Sequence, residues 1–344
     1  MFDFIKEVLQ YAKTNNATDL HLAAGSVPRT RIDGQLLPTP FDKVMSETTT
    51  RIIDSILNDD QKETLKERHY ISIPFPIEDI GRVRANVFMQ RGSYSINFKL
   101  LDKPLPSYEE LGIPDVVINL SELKNGLVLV CGDRKTGKST TVASIIKKIS
   151  ESRKCHIITV EDPIEYLYRH DESIISQKEV GLDILSFSDG IYSAVAQDPD
   201  VIMISFAGDP ETFSAALYAA ENGHLVLTSL KASSSVKAIE YITGMYPGDR
   251  RNHIKMQLSS VLQAIVVQKL IPAIDGKGMK LATEVMLANS AMRNLILENK
   301  AHQIPAVIKA SKALGMMTME DSINELYARG WISKENAHSY IADV

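Results

Sequence analysis

The strongest indication of the fold is the sequence of residues 126–139, Gly-Leu-Val-Leu-Val-Cys-Gly-Asp-Arg-Lys-Thr-Gly-Lys-Ser. Residues 127–131 form a short apolar run that is typical of a buried strand. Residues 132–139 satisfy the pattern G-x-x-x-x-G-K-S, and an apolar stripe at helical spacing follows, made by Val142, Ile145, Ile146 and Ile149. A strand, a glycine-containing loop and a helix that begins at Lys138 together predict a phosphate-binding loop.

The predicted loop has the groups that a nucleoside triphosphate needs. Backbone N–H groups of such a loop converge on the phosphate oxygens, Lys138 adds a positive charge, and Ser139 can ligate Mg²⁺. We therefore predict that ATP or ADP binds here together with Mg²⁺. The residues expected to hold it are Gly132, Thr136, Gly137, Lys138, Ser139 and Thr140. The alternative is an accidental match in a strand-to-helix turn, expected in about one chain in a hundred of this length.

Two residues make this loop unusual. Asp133 puts a carboxylate beside the predicted phosphate position, where like charges repel. Lys135 occupies a position at which glycine could adopt a left-handed backbone at little cost in conformational free energy. Nucleotide binding is therefore expected, with an affinity that these two residues weaken or alter.

The sequence around the loop alternates apolar strands with helices. The predicted strands are short β-rich runs at residues 127–131, 157–160, 201–204 and 225–228. Such apolar runs are typical of strands that are buried on both faces of a parallel sheet. After residue 280 the chain is predicted to be mainly helical, with amphipathic stretches at residues 291–299 and 319–328. We predict an α/β nucleotide-binding domain over residues 115–344 that ends in a helical segment.

The first hundred residues have a different pattern. An N-terminal helix is predicted from apolar residues at helical spacing, namely Phe2, Ile5, Val8, Leu9 and Ala12. Strand-like runs at residues 72–74 and 83–89 lie among turn signals such as Asp33-Gly34 and Ile80-Gly81. We therefore predict an α+β domain over residues 1–100. Residues 101–114 contain three prolines and one glycine without a sustained period, which indicates a linker.

The composition is that of an ordinary globular protein, with 44% hydrophobic and 24% charged residues. The formal net charge of −5 gives no global positive field for nucleic acid or an anionic membrane. The longest apolar stretch, residues 261–274, is interrupted by Gln263, Gln268 and Lys269, so no transmembrane segment is expected. The first residues do not have the pattern of a signal peptide, and the two cysteines are interpreted as free thiols in a reducing compartment. We therefore predict a cytoplasmic protein.

Several longer motifs resemble those of one family. They are residues 17–22 (ATDLHL), 31–34 (RIDG), 81–91 (GRVRANVFMQR), 159–166 (TVEDPIEY), 176–181 (SQKEVG), 197–202 (QDPDVI) and 291–298 (AMRNLILE). Together they resemble the secretion and pilus motor ATPases, and most closely the PilT-like type IV pilus retraction ATPases. The resemblance implies a PAS-like N-terminal domain followed by a RecA-like P-loop domain with a mainly parallel sheet.

The same resemblance implies an assembly and a location. Each subunit would bind ATP at an interface of a hexameric ring, either a homo-hexamer or a mixed ring with an active paralogue. The ring would dock on an inner-membrane pilus platform protein, which would make the chain peripheral to that membrane. No nucleic-acid partner is expected, since the chain has an acidic balance and shows no basic groove with aromatic residues.

Several positions that the family uses for hydrolysis hold other residues here. Phe206 stands where the family has the glutamate after the Walker B strand, and a phenyl ring can neither accept a proton nor orient water. Gly208 and Ala196 replace two family arginines, and Lys231 replaces the histidine of the histidine box. Losing a catalytic carboxylate typically lowers the rate by about two to four orders of magnitude. The resemblance therefore implies slow or absent ATP turnover.

Two carboxylates could replace the missing base. Glu161 follows a strand that the resemblance places adjacent to the phosphate loop, and Asp209 follows the Walker B strand. The alternative role of Glu161 is a contact with Mg²⁺ through water, without proton transfer.

Three arginines of the family-like segment 81–91 are candidates for fingers that reach a neighbouring subunit's nucleotide: Arg82, Arg84 and Arg91. The alternative is that they are surface arginines paired with acidic residues such as Glu78 and Asp79.

Three functions stay open at this point. The first is an active pilus retraction ATPase that uses Glu161 or Asp209 as its base. The second is a ring subunit that binds nucleotide with impaired hydrolysis, which Phe206 and Lys231 favour. The third is a RecA-like ATPase associated with nucleic acid, which the net charge disfavours.

Overall fold

The computed structural model describes residues 2–32, 34–77, 80–100 and 105–342. The chain divides into two compact units, Met1–Pro104 with Glu165–Leu167, and Leu105–Ile164 with Tyr168–Val344. The boundary at residue 104 lies inside the segment predicted as a linker. Beyond it, Tyr108 and Leu111 are partly buried against the core of the second unit.

The first unit combines a sheet with helices. Its helices are α1 (Phe2–Thr14), α2 (Ser46–Ile56) and α3 (Asp59–Arg68). Its strands are β1 (Asp19–Ala23), β2 (Arg29–Ile32), β3 (Gln35–Pro38), β4 (Tyr70–Ile77), β5 (Gly81–Gln90) and β6 (Ser93–Leu100). They form an antiparallel sheet in the order β3-β2-β1-β6-β5-β4. The predicted α+β character of this region is confirmed.

Alternation along these strands separates the core from a polar face. Leu20, Val87 and Phe98 point into the core beneath the helices. On the opposite face, Asn97 donates to the ring of its register partner His21 at 3.2 Å and Ser72 donates to Asn86 at 2.7 Å. A row of polar side chains therefore crosses four strands of this sheet.

The second unit is built on a seven-stranded sheet in the order β13-β12-β7-β11-β10-β8-β9. Its strands are β7 (Gly126–Cys131), β8 (His156–Glu161), β9 (Ile174–Glu179), β10 (Val201–Ile204), β11 (Leu225–Leu230), β12 (Leu262–Pro272) and β13 (Met279–Leu287). All neighbouring pairs are parallel except β12 with β13. The mainly parallel sheet and its four predicted strands are confirmed.

The helices of this unit cover the sheet. They are α4 (Asp115–Ile118), α5 (Lys138–Ser152), α6 (Phe187–Val195), α7 (Pro210–Glu221), α8 (Ser235–Gly244), α9 (Gly248–Val261), α10 (Ser290–Leu297), α11 (Ile304–Ala310), α12 (Met319–Ala328) and α13 (Lys334–Ala342). The helical end of the chain begins later than predicted, because residues 279–287 form the antiparallel strand β13. The predicted helical stretches at 291–299 and 319–328 correspond to α10 and α12.

Both faces of the parallel sheet are buried. Val128 and Val130 of β7 pack with Val142 and Ile145 of α5, in what we call the α5-side core. Leu127 and Leu129 point to the opposite face, where helices such as α7 pack. This double burial explains why strands such as β7 and β10 are apolar throughout rather than alternating.

The longest apolar stretch of the sequence is also accounted for by the sheet. Residues 262–272 of that stretch form β12, between β7 and β13. In the part of the chain that the structure describes, no helix combines the length and apolarity that a membrane crossing requires.

Two glycines with left-handed backbones provide a test of this packing. An added Cβ at Gly126 (φ 101°) would lie 2.7 Å from the carbonyl oxygen of Val261, whereas nothing lies within 4 Å of one at Gly223 (φ 94°). Both Gly→Ala changes should cost about 1–2 kcal/mol of backbone strain. Gly126→Ala should lose about 1–3 kcal/mol more from overpacking. Urea denaturation of both variants measures the difference, and equal losses would contradict the close approach of β7 to the start of β12.

Candidate nucleotide site

The carboxyl ends of the parallel strands bring the predicted catalytic positions to one edge of the sheet. The phosphate loop follows β7, Glu161 ends β8, Phe206 follows β10, and Lys231 follows β11. In open α/β sheets this edge is where ligands bind. The sequence motifs are therefore brought together by the strand order, although they are far apart along the chain.

The backbone of the loop turns through left-handed conformations at three positions. Gly132 has φ 146°, Lys135 has φ 66° and Gly137 has φ 85°. The predicted left-handed backbone at Lys135 is confirmed. A lysine in this conformation is strained by about 1–2 kcal/mol, which glycine would avoid.

Gly132 is required by close contact as well as by its backbone angle. An added Cβ would lie 2.5 Å from Thr136 Oγ1 and 2.7 Å from the carbonyl oxygen of Gln268. Thr136 Oγ1 in turn donates to the carbonyl of Asp133 at 3.0 Å. The first residue of the loop is thus wedged between the loop's own threonine and strand β12.

Lys138 points into the loop. Its Nζ donates to the carbonyl oxygens of Gly132 at 2.9 Å and Asp133 at 2.5 Å. Within the described residues, no side chain caps α5, whose N-cap is Gly137, and its first turn contains no acidic residue. A helix N-terminus of this kind attracts an anion through its N–H groups and its dipole.

Glu161 ends β8, which is not the strand next to β7 in the sheet. Strands β11 and β10 separate β8 from β7, so the expectation that Glu161 follows a strand adjacent to the loop was wrong. Its side chain is almost fully buried, with 3% exposed. Thr159 Oγ1 and Gln177 Nε2 donate to Glu161 Oε1 at 2.6 and 3.1 Å. These bonds fix the position of the carboxylate within the sheet.

Asp209 caps a helix. It is the N-cap of α7, and its Oδ1 accepts the backbone N–H groups of Glu211 at 3.1 Å and Thr212 at 2.9 Å. Burial favours a higher pKa for this carboxyl, but the hydrogen bonds from Thr212 and the backbone outweigh burial and lower the pKa. A carboxylate that is already bonded and less basic than usual is a poor general base.

Phe206 and Gly208 are physically linked. The phenyl ring is 43% exposed. An added Cβ at Gly208 would lie 2.2 Å from Cε1 and Cζ of that ring. The carbonyl of Gly208 accepts a hydrogen bond from the Tyr241 hydroxyl at 2.7 Å. The ring thus covers the position from which a side chain at residue 208 would extend.

Hydrogen bonds connect the carboxyl ends of three neighbouring strands, β11, β10 and β8, at this edge. Ser229 Oγ donates to the carbonyl of Ser205 at 2.5 Å, and Ser205 Oγ accepts from the backbone of Asp162 at 3.2 Å. Lys231, directly after β11, is exposed. Since β11 is the neighbour of β7, Lys231 leaves the sheet next to the strand that carries the phosphate loop.

The candidate finger arginines belong to the first unit. Arg84 Nε donates to Ser72 Oγ at 2.7 Å, within the polar row of that sheet. Arg91 is exposed at the turn between β5 and β6, with φ 47°. The side chain of Arg82, like Glu78 and Asp79, lies outside the described residues. The finger role of these arginines stays a prediction.

One residue beside the loop belongs to no functional motif of the sequence. In the sequence Gln268 is a polar interruption of an apolar stretch, whereas in the structure it flanks Gly132 and is buried. A lone amide inside an otherwise apolar strand was the available signal. Only the pairing of β12 with β7 shows that the loop lies next to it.

Comparison with known proteins gives consistent matches over nearly the whole chain. A family model described as type II/IV secretion system protein matches residues 2–329. The type IV pilus retractation ATPase PilT of Pseudomonas aeruginosa is 35% identical over 333 residues, which cover 97% of this chain and 96% of that protein. The type IV pilus ATPase PilU of the same organism is 34% identical over 332 residues, covering 96% and 87%.

A solved structure matches the fold. The crystal structure of the pilus retraction motor PilT with bound ADP has a TM-score of 0.90 and 39% sequence identity, covering 96% of this chain and 95% of that one. The similarity confirms the predicted fold class, an N-terminal domain followed by a RecA-like ATPase domain.

The cap made by Asp209 can be tested directly. Asp209→Ala should lower the free energy of unfolding by about 0.5–2 kcal/mol, whereas Asp209→Asn keeps a capping oxygen and should lose little. Because the folded pKa lies below the ordinary 3.8, the charged cap stabilises above pH 3.8 and loses its effect as the pH falls through the lowered value. Thermal unfolding from pH 3 to 7 measures this, and a large loss in Asp209→Asn at neutral pH would contradict a capping role.

Proposed function

Because this chain belongs to the type II/IV secretion system protein family, we propose that it is a PilT-like pilus motor subunit that binds ATP or ADP with Mg²⁺ and hydrolyses ATP poorly. One observation carries this proposal. The phosphate loop has the backbone of a phosphate cradle, while Phe206, which the resemblance places at the family's glutamate position, follows β10 at the same edge of the sheet.

Nucleotide binding is supported by the loop and by the relatives. Gly132, Gly137 and the uncapped first turn of α5 provide the backbone of a phosphate cradle. The PilT structure similar to this chain contains ADP. Thr136 and Thr140 complete the set of proposed contacts, with Lys138 as the positive charge.

Ser139 and Glu161 are the residues proposed to act on a magnesium ion that is bound with the nucleotide. Ser139 is exposed in the first turn of α5 and offers a hydroxyl ligand, while Glu161 offers a carboxylate held by two hydrogen bonds. Hard oxygen ligands of this type suit Mg²⁺, which keeps several of its waters. Bound Mg²⁺ would neutralise charge on the phosphates, and Glu161 would act on it through water.

Impaired hydrolysis is supported by what surrounds the loop. Phe206 cannot orient water, Asp209 is held as a helix cap, and Lys231 offers donors without an acceptor. Glu161 stays the candidate base for an alternative, an active retraction ATPase, since its buried carboxylate is at the same edge. Under this proposal Arg82 and Arg91 are trans-acting fingers.

The proposal extends to assembly. A hexameric ring, either of one chain or mixed with an active paralogue, would place the arginine-bearing first unit of one subunit at the nucleotide of another. The similarity to PilT and PilU supports a place in a pilus machine. The chain would then be cytoplasmic and attached to the inner membrane through the platform protein, with residues 1–100 and 115–344 as its two domains.

The deciding experiment measures nucleotide affinity and steady-state ATP turnover on one purified sample. We expect binding that Lys138→Ala abolishes, and turnover about two to four orders of magnitude below that of an active motor. Phe206→Glu should raise the turnover, because a carboxylate can orient the attacking water. Phe206→Leu is the matched control, since it removes the ring without adding a base.

The outcomes separate the alternatives. Turnover at a motor's rate in the unmodified protein would contradict impaired hydrolysis, and its loss in Glu161→Gln would identify Glu161 as the base. Equal gains in Phe206→Glu and Phe206→Leu would show that the ring only obstructs the site. No binding by the unmodified protein would contradict the proposal as a whole.

A further inference from the structure

Gln268 lies at the point where strand β12 passes the phosphate loop. The pairing of β12 with β7 runs to Val267 opposite Cys131, so the next residue of β12 is beside Gly132. The carbonyl oxygen of Gln268 is 2.7 Å from the position of an added Cβ at Gly132. The main chain of Gln268 therefore sets how far the first residue of the loop can move toward β12.

The side chain of Gln268 reaches the helix that follows the loop. Ala264 and Val266 belong to the α5-side core, and alternation places Gln268 on the same face of β12. Its Nε2 donates to Thr141 Oγ1 at 2.7 Å. Gln268 and Thr141 are 1% and 2% exposed. The main chain of Gln268 thus lies beside the first residue of the loop, and its side chain bonds to the start of α5.

The other end of this amide has no hydrogen-bond partner among the residues that the structure describes. Oε1 of Gln268 is buried, and no described residue donates a hydrogen bond to it. If the amide oxygen and nitrogen are exchanged, the Thr141 hydroxyl can donate to the oxygen, but the amide nitrogen is then the buried group without a partner among the described residues. An unpaired buried polar atom is unfavourable, and an apolar side chain of similar size would avoid it. Packing alone therefore does not explain a glutamine at this position.

We infer that Gln268 is a positioning residue for nucleotide binding: it holds the first residue of the phosphate loop and the start of α5 at the separation that the phosphates require. The inference rests on the proposed function, because it assumes that this loop binds a nucleotide. It adds a residue of β12, outside the loop motif, on which the affinity depends. The bond to Thr141 is the part of this arrangement that can be removed without touching the loop.

The test uses ADP as the probe and compares variants of the full chain. Gln268→Met and Thr141→Val each remove the Gln268–Thr141 hydrogen bond and should weaken ADP binding about three- to tenfold. The double variant should bind ADP as well as the single variant with the lower affinity does, because both changes remove the same interaction. Thr141→Val also keeps the test usable if Gln268→Met folds poorly.

Thr243→Val is the matched control. Thr243 is also buried in a helix, and its hydroxyl donates to Ile239 within α8, away from the loop. The same chemical change there should lower the thermal midpoint and leave the dissociation constant for ADP unchanged. Titration with a fluorescent ADP analogue and thermal unfolding without nucleotide, on each variant, provide the two measurements.

Two results would overturn the inference. One is a fall in the thermal midpoint of Gln268→Met and Thr141→Val with no change in ADP affinity, which would make Gln268 a packing residue. The other is an equal loss of affinity in Thr243→Val, which would show a general effect of destabilisation. If the unmodified protein does not bind ADP, it is instead the proposed function that fails.

Discussion

The second unit is organised by the need to bury its parallel sheet on both faces. Strands such as β7 and β10 are apolar throughout, so each can be stable only between two helical layers. Parallel strands also need a crossover after each one, which brings their carboxyl ends to the same edge. The start of α5, the end of β8 and the residues after β10 meet at this edge for that reason.

The chemistry at this edge is divided between a cradle and a catalytic position. The cradle consists of backbone geometry: left-handed residues, an uncapped helix start and Gly132 pressed against β12. These features depend on backbone packing, and substitutions at the catalytic positions do not remove them. The catalytic position depends on single side chains, and there Phe206 lies over Gly208 while Asp209 caps α7. Binding and hydrolysis can therefore separate in one fold, because different kinds of structure support them.

The polar groups inside the second unit add a further layer. Glu161 and Gln268 are both buried, and each is bonded to a threonine hydroxyl at 2.6 and 2.7 Å. Hydrogen bonds between buried groups are directional, so they fix positions that apolar packing alone leaves adjustable. In this protein they connect β8 to β9 and β12 to α5, on either side of the phosphate loop.

The sequence predicts the phosphate loop, its helix and the apolar strands, because these follow from local patterns of glycine, charge and hydrophobic spacing. It also predicted the strained backbone at Lys135, since the loop motif specifies that geometry. The three-dimensional arrangement alone shows that β10 and β11 lie between β8 and β7, that Asp209 is a helix cap, and that Gln268 lies beside Gly132. Strand order and side-chain contacts depend on residues distant in the chain, and no local pattern in one sequence records which of them become neighbours.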